Sequence, residues 1–205
     1  QATNGLNDLF GIPNTNTTMV VLIVAITLVA MGSVVLGVDK GVQRLSQLNI
    51  ALALLLLLFV IVVGPTLLIL TGFFQNLGSY ITHLPALAMP FGREDANFVS
   101  GWTAFYWAWW ISWSPFVGMF IARVSRGRTV REFLISVLLV PSLVSVLWMT
   151  AFGGTAISQT LQGVFADSTV DELFIMLSGL PLTQITSFIA IVLVLVFFIT
   201  SSDSG

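Results

Sequence analysis

The stretch Phe105–Pro115, "FYWAWWISWSP", holds six aromatic side chains, four of them tryptophan. On a helix, positions three and four apart share a face. Tyr106, Trp110 and Trp113 then form one row, and Trp102, Trp109 and Phe116 a neighbouring row. Aromatic faces attract cations, above all quaternary ammonium groups, which have no hydrogen to donate. Each indole N–H also needs a partner of its own. A second constellation closes the chain at "FFITSSDSG", where Thr200, Ser201, Ser202 and Ser204 crowd hydroxyls into five positions. Hydroxyl and carbonyl oxygens suit a small, hard cation. Hydroxyls in membrane helices also bond back to their own helix or across to a neighbour, and spacing alone leaves both readings open. Asp203 is a candidate intramembrane charge, a class of residue that carries function by default.

The elements that position these groups follow from composition. Hydrophobic residues make up 57% of the chain and charged residues 8%. A soluble domain carries about 25% charge, so this is an integral membrane protein. The net charge of −2 leaves no basic patch for nucleic acid. There is no cysteine, which excludes thiol chemistry and cysteine-based metal sites. A single histidine, His83, builds no metal cluster and reads as a surface or interface side chain. The chain opens on Gln1 without a signal-peptide pattern and stops inside an apolar run, which reads as an internal piece of a longer protein.

Five segments are long and apolar enough to cross a bilayer, which takes about 20 residues. They run approximately over Met19–Val38, Ile50–Phe74, Phe98–Ala122, Phe133–Phe152 and from Thr186 to the chain end. Each must be helical, because lipid offers no partner to backbone polar groups. The fold class is therefore all-α and integral to the membrane, with about five transmembrane helices. Lys40 and Arg44 follow the first span; Arg123, Arg126, Arg128 and Arg131 follow the third. The remaining flanks hold Arg93 against Asp8, Glu94, Asp95, Asp167, Asp171 and Glu172. Basic loops stay cytoplasmic, so 39–49 and 123–132 face inward and the N-terminal tail, 75–97 and 153–185 face outward. The mixed polarity of about 75–95 suits a helix lying along the outer surface. About 168–178 carries helix start signals and ends at Gly179 and Pro181; it reads equally as a lid or as a loop packed on the outer face.

Interfacial tryptophans belong at the ends of a span. Trp102 fits that role, but Trp109, Trp110 and Trp113 fall midway along the third span. Pro115 removes a backbone donor and crowds the carbonyl of Ile111. This predicts a kink or an unwound turn over Ile111–Pro115, and broken helices at mid-depth line transporter cavities. The first four spans offer no certain charged side chain in their cores, so aromatic faces would hold a cation there. Gly64-Pro65 predicts a kink in the second span, with no ligand role. The basic hairpin Arg126–Glu132 is sufficiently explained by topology, with anionic lipid or a regulatory tail as a second reading.

The motif "FYWAWWISWSPFVGMFIARVSRGRTVREF" resembles the signature of the betaine–choline–carnitine transporters. "GVDKGVQRLS" (Gly37–Ser46), "VVGPT" (Val62–Thr66) and "FFITSSDSG" resemble that family in the same order. The resemblance implies a leucine-transporter-like fold of two inverted five-helix repeats within a twelve-span protein, with this chain holding spans six to ten. It places Trp110 in the aromatic box around a quaternary ammonium group, and Trp109 and Trp113 along the site or its cytoplasmic exit. It assigns Phe197, Thr200 and Ser201 to a sodium ion, through a backbone carbonyl and hydroxyls, and Phe116 to the neighbourhood of a second sodium site. It further implies a homotrimer in the cell (inner) membrane, crossing it several times, surrounded by lipid, with sodium as coupling ion and no cofactor. The rest of the box and of the ion site would lie on helices outside this sequence.

The reading is sodium-coupled secondary transport of a quaternary ammonium compatible solute, glycine betaine first, by alternating access. The rivals are a proton-coupled choline carrier, a sodium-independent carnitine antiporter and a structural membrane subunit. A membrane-embedded enzyme would require clusters of His, Asp or Glu that the sequence does not offer. The orientation is directly testable. A cysteine at Ser125 should react with an impermeant thiol reagent only from the cytoplasmic side, and one at Ser168 only from outside. Reversed accessibility at both would overturn the orientation.

Overall fold

The computed structural model describes residues 2–36, 43–89, 95–164 and 171–204. Among them every regular element is a helix, and there is no strand. The helices are α1 (Ala2–Phe10), α2 (Asn16–Leu36), α3 (Gln43–Val63), α4 (Thr66–Ala88), α5 (96–124), α6 (Val130–Leu161), α7 (Glu172–Ser178) and α8 (Thr183–Ser204). By length and hydropathy α3, α6 and the Thr183–Ser201 part of α8 can each cross a membrane, and the described apolar part of α2 is shorter. The middle of α5 is diluted by tryptophan and serine, which read as weakly polar on a hydropathy scale.

Local chemistry sets the ends of these helices. Gly11, at φ +65°, closes α1 by donating its N–H to the Asn7 carbonyl, the left-handed stop that glycine adopts without steric cost. Thr15 opens α2 by accepting the Thr18 N–H. The expected span Ile50–Phe74 is divided: α3 stops at Val63 and a new helix starts at Thr66. Pro65 supplies no N–H for the Ile61 carbonyl, and the Thr66 hydroxyl takes that carbonyl instead, at 2.7 Å. Gly64 can leave the helical path there. The remainder of the expected second span is thus continuous with the expected surface helix, both lying in α4.

In α6 a π-helical turn, Ile135–Leu139, precedes Pro141, and the Val140 N–H reaches back to the Ile135 carbonyl. That wider register accommodates a proline without ending the helix. The expected outer-loop helix over 168–178 appears as α7, beginning at Glu172; residues 168–170 lie outside the described set, as do 90–94 of the expected surface helix.

The chain divides into two compact units, one made of Gln1–Gly72 with Leu147–Asp203 and the other of Phe73–Val146. The first holds the packed core. Leu56, Leu57 and Val60 of α3, Ile69 of α4, Ala151 and Phe152 of α6, Phe174, Met176 and Leu177 of α7, and Ala190 and Ile191 of α8 are buried together. α1 lies against this core at Gly5, whose Cα hydrogen faces Phe174 and Ile191. Asn4 donates to the Asp171 carboxylate at 2.7 Å, and Gln159 donates to the Met176 carbonyl at 3.0 Å. α7 is therefore built into the core by its apolar stripe and fixed by hydrogen bonds at both ends. In the second unit no residue with a described side chain is buried.

The α3–α4 joint tolerates no side chain. A Cβ on Gly64 would sit 2.5 Å from the Val60 carbonyl oxygen, a backbone atom that cannot swing away. Gly64→Ala should lower stability by about 1–3 kcal/mol, the usual range for overpacking, visible as a fall in Tm of the purified protein in detergent. Gly72→Ala, where the nearest atom is a Thr150 methyl at 3.3 Å, should cost less. Equal Tm values would mean the joint relaxes freely.

Candidate functional site

The tryptophan-rich helix does not break. α5 begins as Ala96–Phe98, passes through a π-helical stretch Val99–Ala104 and continues as regular helix over Phe105–Val124 with Pro115 inside it. The expected unwinding at Ile111–Pro115 is corrected accordingly. Pro115 does free the Ile111 carbonyl, and the Ser114 hydroxyl donates to it at 2.9 Å. The lost backbone bond is replaced within the same turn, so the helix has no reason to open. Ser112 also bonds back, to the Ala108 carbonyl at 2.8 Å.

An unbroken helix determines where the rings go. Every residue from Phe105 to Met119 is exposed on the chain. The expected rows give way to contacts that cross them, and Phe105 meets Tyr106 edge-on at 5.6 Å, so that rings touch in a run from Trp102 to Trp109. Trp102 stacks on Tyr106 with centroids 5.8 Å apart and planes at 13°. Phe105 meets Trp109 edge-on at 5.5 Å, and Trp113 meets Phe116 at 6.4 Å. Trp110 is 73% exposed and joins no ring pair among the described residues. Trp109, Trp110 and Trp113 therefore form no common cluster within this unit. They line one helix with aromatic surface, and Trp110 presents its ring uncovered.

The ion-site candidates sit in the other unit, apart from Phe116. Thr200 is buried, 8% exposed, and its hydroxyl donates to the Phe197 carbonyl at 3.0 Å. Two of the three expected oxygens are thus adjacent on one turn of α8. Ser201 is exposed, as is the Phe197 ring. The side chains of Ser202, Asp203 and Ser204 lie outside the described set. Among the described residues no group of three His, Cys, Asp or Glu gathers as metal ligands.

One feature went unread in the sequence. Thr129 and Glu132 form a capping box: the Thr129 hydroxyl accepts the Glu132 N–H at 3.3 Å, and the Glu132 carboxylate accepts the Thr129 N–H at 2.9 Å. The signal was present as threonine followed three positions later by glutamate before an apolar run. It shows that the basic hairpin is also the start of α6.

An all-helical chain with membrane-length apolar helices and an exposed aromatic helix defines a membrane protein, and comparison with known proteins places it among transporters rather than enzymes. Residues 1–205 match the BCCT, betaine/carnitine/choline family transporter, description from end to end. The chain belongs to this family. It is 66% identical over 209 residues to a glycine betaine/proline/choline transporter of Vibrio parahaemolyticus, covering 100% of this chain and 38% of that protein. It is 48% identical over 211 residues to the glycine betaine transporter OpuD of Bacillus subtilis, covering 100% of this chain and 41% of the relative. Glycine betaine transporter 1 of Vibrio parahaemolyticus is 50% identical over 218 residues, covering 100% of this chain and 40% of the relative. The chain therefore spans about two-fifths of the length of these relatives.

The repair at Pro115 makes a differential prediction. Ser114→Ala leaves the Ile111 carbonyl without a donor, whereas Ser112→Ala leaves Ala108 with its ordinary helical N–H. Ser114→Ala should cost about 0.6–1.7 kcal/mol, the range for such bonds in membranes, and should bend α5. Ser112→Ala should cost less and leave α5 straight. Tm and the distance between spin labels at Gly101 and Val124 check both, and equal behaviour would refute the repair.

Proposed function

We propose that this chain is part of a multi-pass inner-membrane carrier that imports a quaternary ammonium compatible solute, glycine betaine foremost, coupled to sodium and working by alternating access within a homotrimer. The observation that carries this reading is the uncovered ring of Trp110, midway along a continuous helix, in a chain whose relatives are named for glycine betaine. The relative from Vibrio parahaemolyticus that is 66% identical is named for choline and proline as well. Glycine betaine and choline share the trimethylammonium group, and only one of them has a carboxylate. A site that accepts both must read the ammonium end, which is what an aromatic face does. Other helices of the carrier would close the box over Trp110, and Trp109 and Trp113 would flank it. Sodium coupling rests on the adjacent oxygens of Phe197 and Thr200, with Ser201 beside them and Phe116 near a second ion.

Two measurements on the full-length carrier test this function. Trp110→Phe keeps a weaker π face and should weaken betaine binding moderately. Trp110→Leu keeps bulk but loses the quadrupole; a desolvated cation–π contact is worth about 2 kcal/mol or more, so affinity should fall roughly thirtyfold. Trp102→Leu should change little. If leucine and phenylalanine at 110 behave alike, the rings only pack and anchor. For the ion, Thr200→Ala combined with Ser201→Ala should raise the sodium concentration for half-maximal uptake by roughly tenfold or more for each oxygen lost, on the scale of about 1–3 kcal/mol per group. Unchanged sodium dependence would favour the antiporter.

A further inference from the structure

The C-terminal end of α5 carries a basin that neither the transport reading nor the family match assigns. It is an open cavity of about 490 Å³ lined by Met119, Ala122, Arg123 and Arg126. Its two halves differ chemically. Met119 and Ala122 continue the apolar surface of α5, while Arg123 and Arg126 bring two guanidinium groups to its edge. Arg123 stands directly after the last residue of the expected span Phe98–Ala122.

Among the described residues no carboxylate neutralises the charges in this basin. Among the described residues, Arg123, Arg126, Arg128 and Arg131 make no ion pair. The nearest acid in sequence, Glu132, spends its carboxylate on the Thr129 N–H in the capping box, where Arg128 is the arginine close enough to act on it. Arg123 and Arg126 are left facing the basin. Guanidinium groups bind phosphate in a two-pronged geometry, and an anionic membrane surface attracts juxtamembrane cations.

We propose that the basin formed by Met119, Ala122, Arg123 and Arg126 binds the phosphate headgroup of an anionic phospholipid, whose acyl chain runs along the exposed apolar side of α5. The combination of an apolar wall with two arginines that pair with no described acid, at the end of the expected span, selects a lipid over a free anion, which has no use for Met119 and Ala122. It also selects a lipid over an acidic protein segment, which would have to enter the bilayer to meet the same wall. Arg128 and Arg131 belong to the capped start of α6 and do not line the basin.

The test uses the full-length carrier with native mass spectrometry in phosphatidylglycerol and phosphatidylcholine. The carrier should retain phosphatidylglycerol over phosphatidylcholine, and the pair Arg123→Gln with Arg126→Gln should lower that retention roughly thirtyfold, on the scale of about 1 kcal/mol for each of the two arginines. Arg128→Gln with Arg131→Gln should leave it nearly unchanged. Because removing basic residues can disturb topology, Arg123→Lys with Arg126→Lys serves as the folded control. It keeps the charge but loses the fork, and retention should fall severalfold. Equal losses in the two glutamine pairs would mean a diffuse basic belt and overturn the site. Retention unaffected by both the glutamine and lysine changes at 123 and 126 would also overturn it. Displacement of phosphatidylglycerol by inorganic phosphate would make the site one for free anions. Lipid-independent cross-linking from a cysteine at Ala122 to another segment of the carrier, without phosphatidylglycerol retention, would make the occupant protein.

Discussion

A proline inside a membrane helix frees a carbonyl that lipid cannot solvate, and much of this chain's architecture follows from how each such carbonyl is satisfied. The same repair occurs twice with opposite outcomes. At Pro65 the Thr66 hydroxyl takes the Ile61 carbonyl; at Pro115 the Ser114 hydroxyl takes the Ile111 carbonyl. The helix ends at the first and continues through the second. The difference lies in the residue before the proline. Gly64 has no side chain to hold it on the helical path, whereas Ser114 is tied back to the turn it belongs to. At Pro141 the device is a π turn immediately upstream.

Continuity of α5 has a consequence for cation recognition. A broken helix would fold its aromatic side chains toward one cavity. A continuous one spreads them as a surface, and its rings meet in local pairs. Such a surface is stable against lipid, but a cage around a cation needs faces from several directions. A box around an ammonium group would therefore need rings beyond those this helix supplies. The ion candidates show the complementary case. Phe197 and Thr200 are neighbours on one turn, so helical geometry alone brings their oxygens together.

The packed core explains why α7 is held so firmly. Phe174, Met176 and Leu177 are buried beside residues of α3, α6 and α8, and Asn4 and Gln159 clamp the helix at either end. Of the two readings that its sequence left open, a packed element fits these contacts. A helix that moved as a free lid would expose that apolar stripe.

The all-helical membrane class was legible from composition, because a chain with 8% charged residues cannot cover itself against water. The family was legible in the Phe105–Phe133 motif, and whole-chain similarity bears it out. The expected kink at Gly64-Pro65 proves to be a helix end, and the unread signals at Gly11 and Thr15 act by the same chemistry within one turn. The fate of Pro115 was not legible in the same way: removal of a donor is certain from sequence, but replacement by Ser114 depends on a side-chain rotamer that emerges only in the folded helix. Met119, Ala122, Arg123 and Arg126 share one face of α5 by helical spacing alone, but the burial of α7 depends on segments far apart in sequence. Contacts of that kind are set by packing in three dimensions, and no local pattern encodes them.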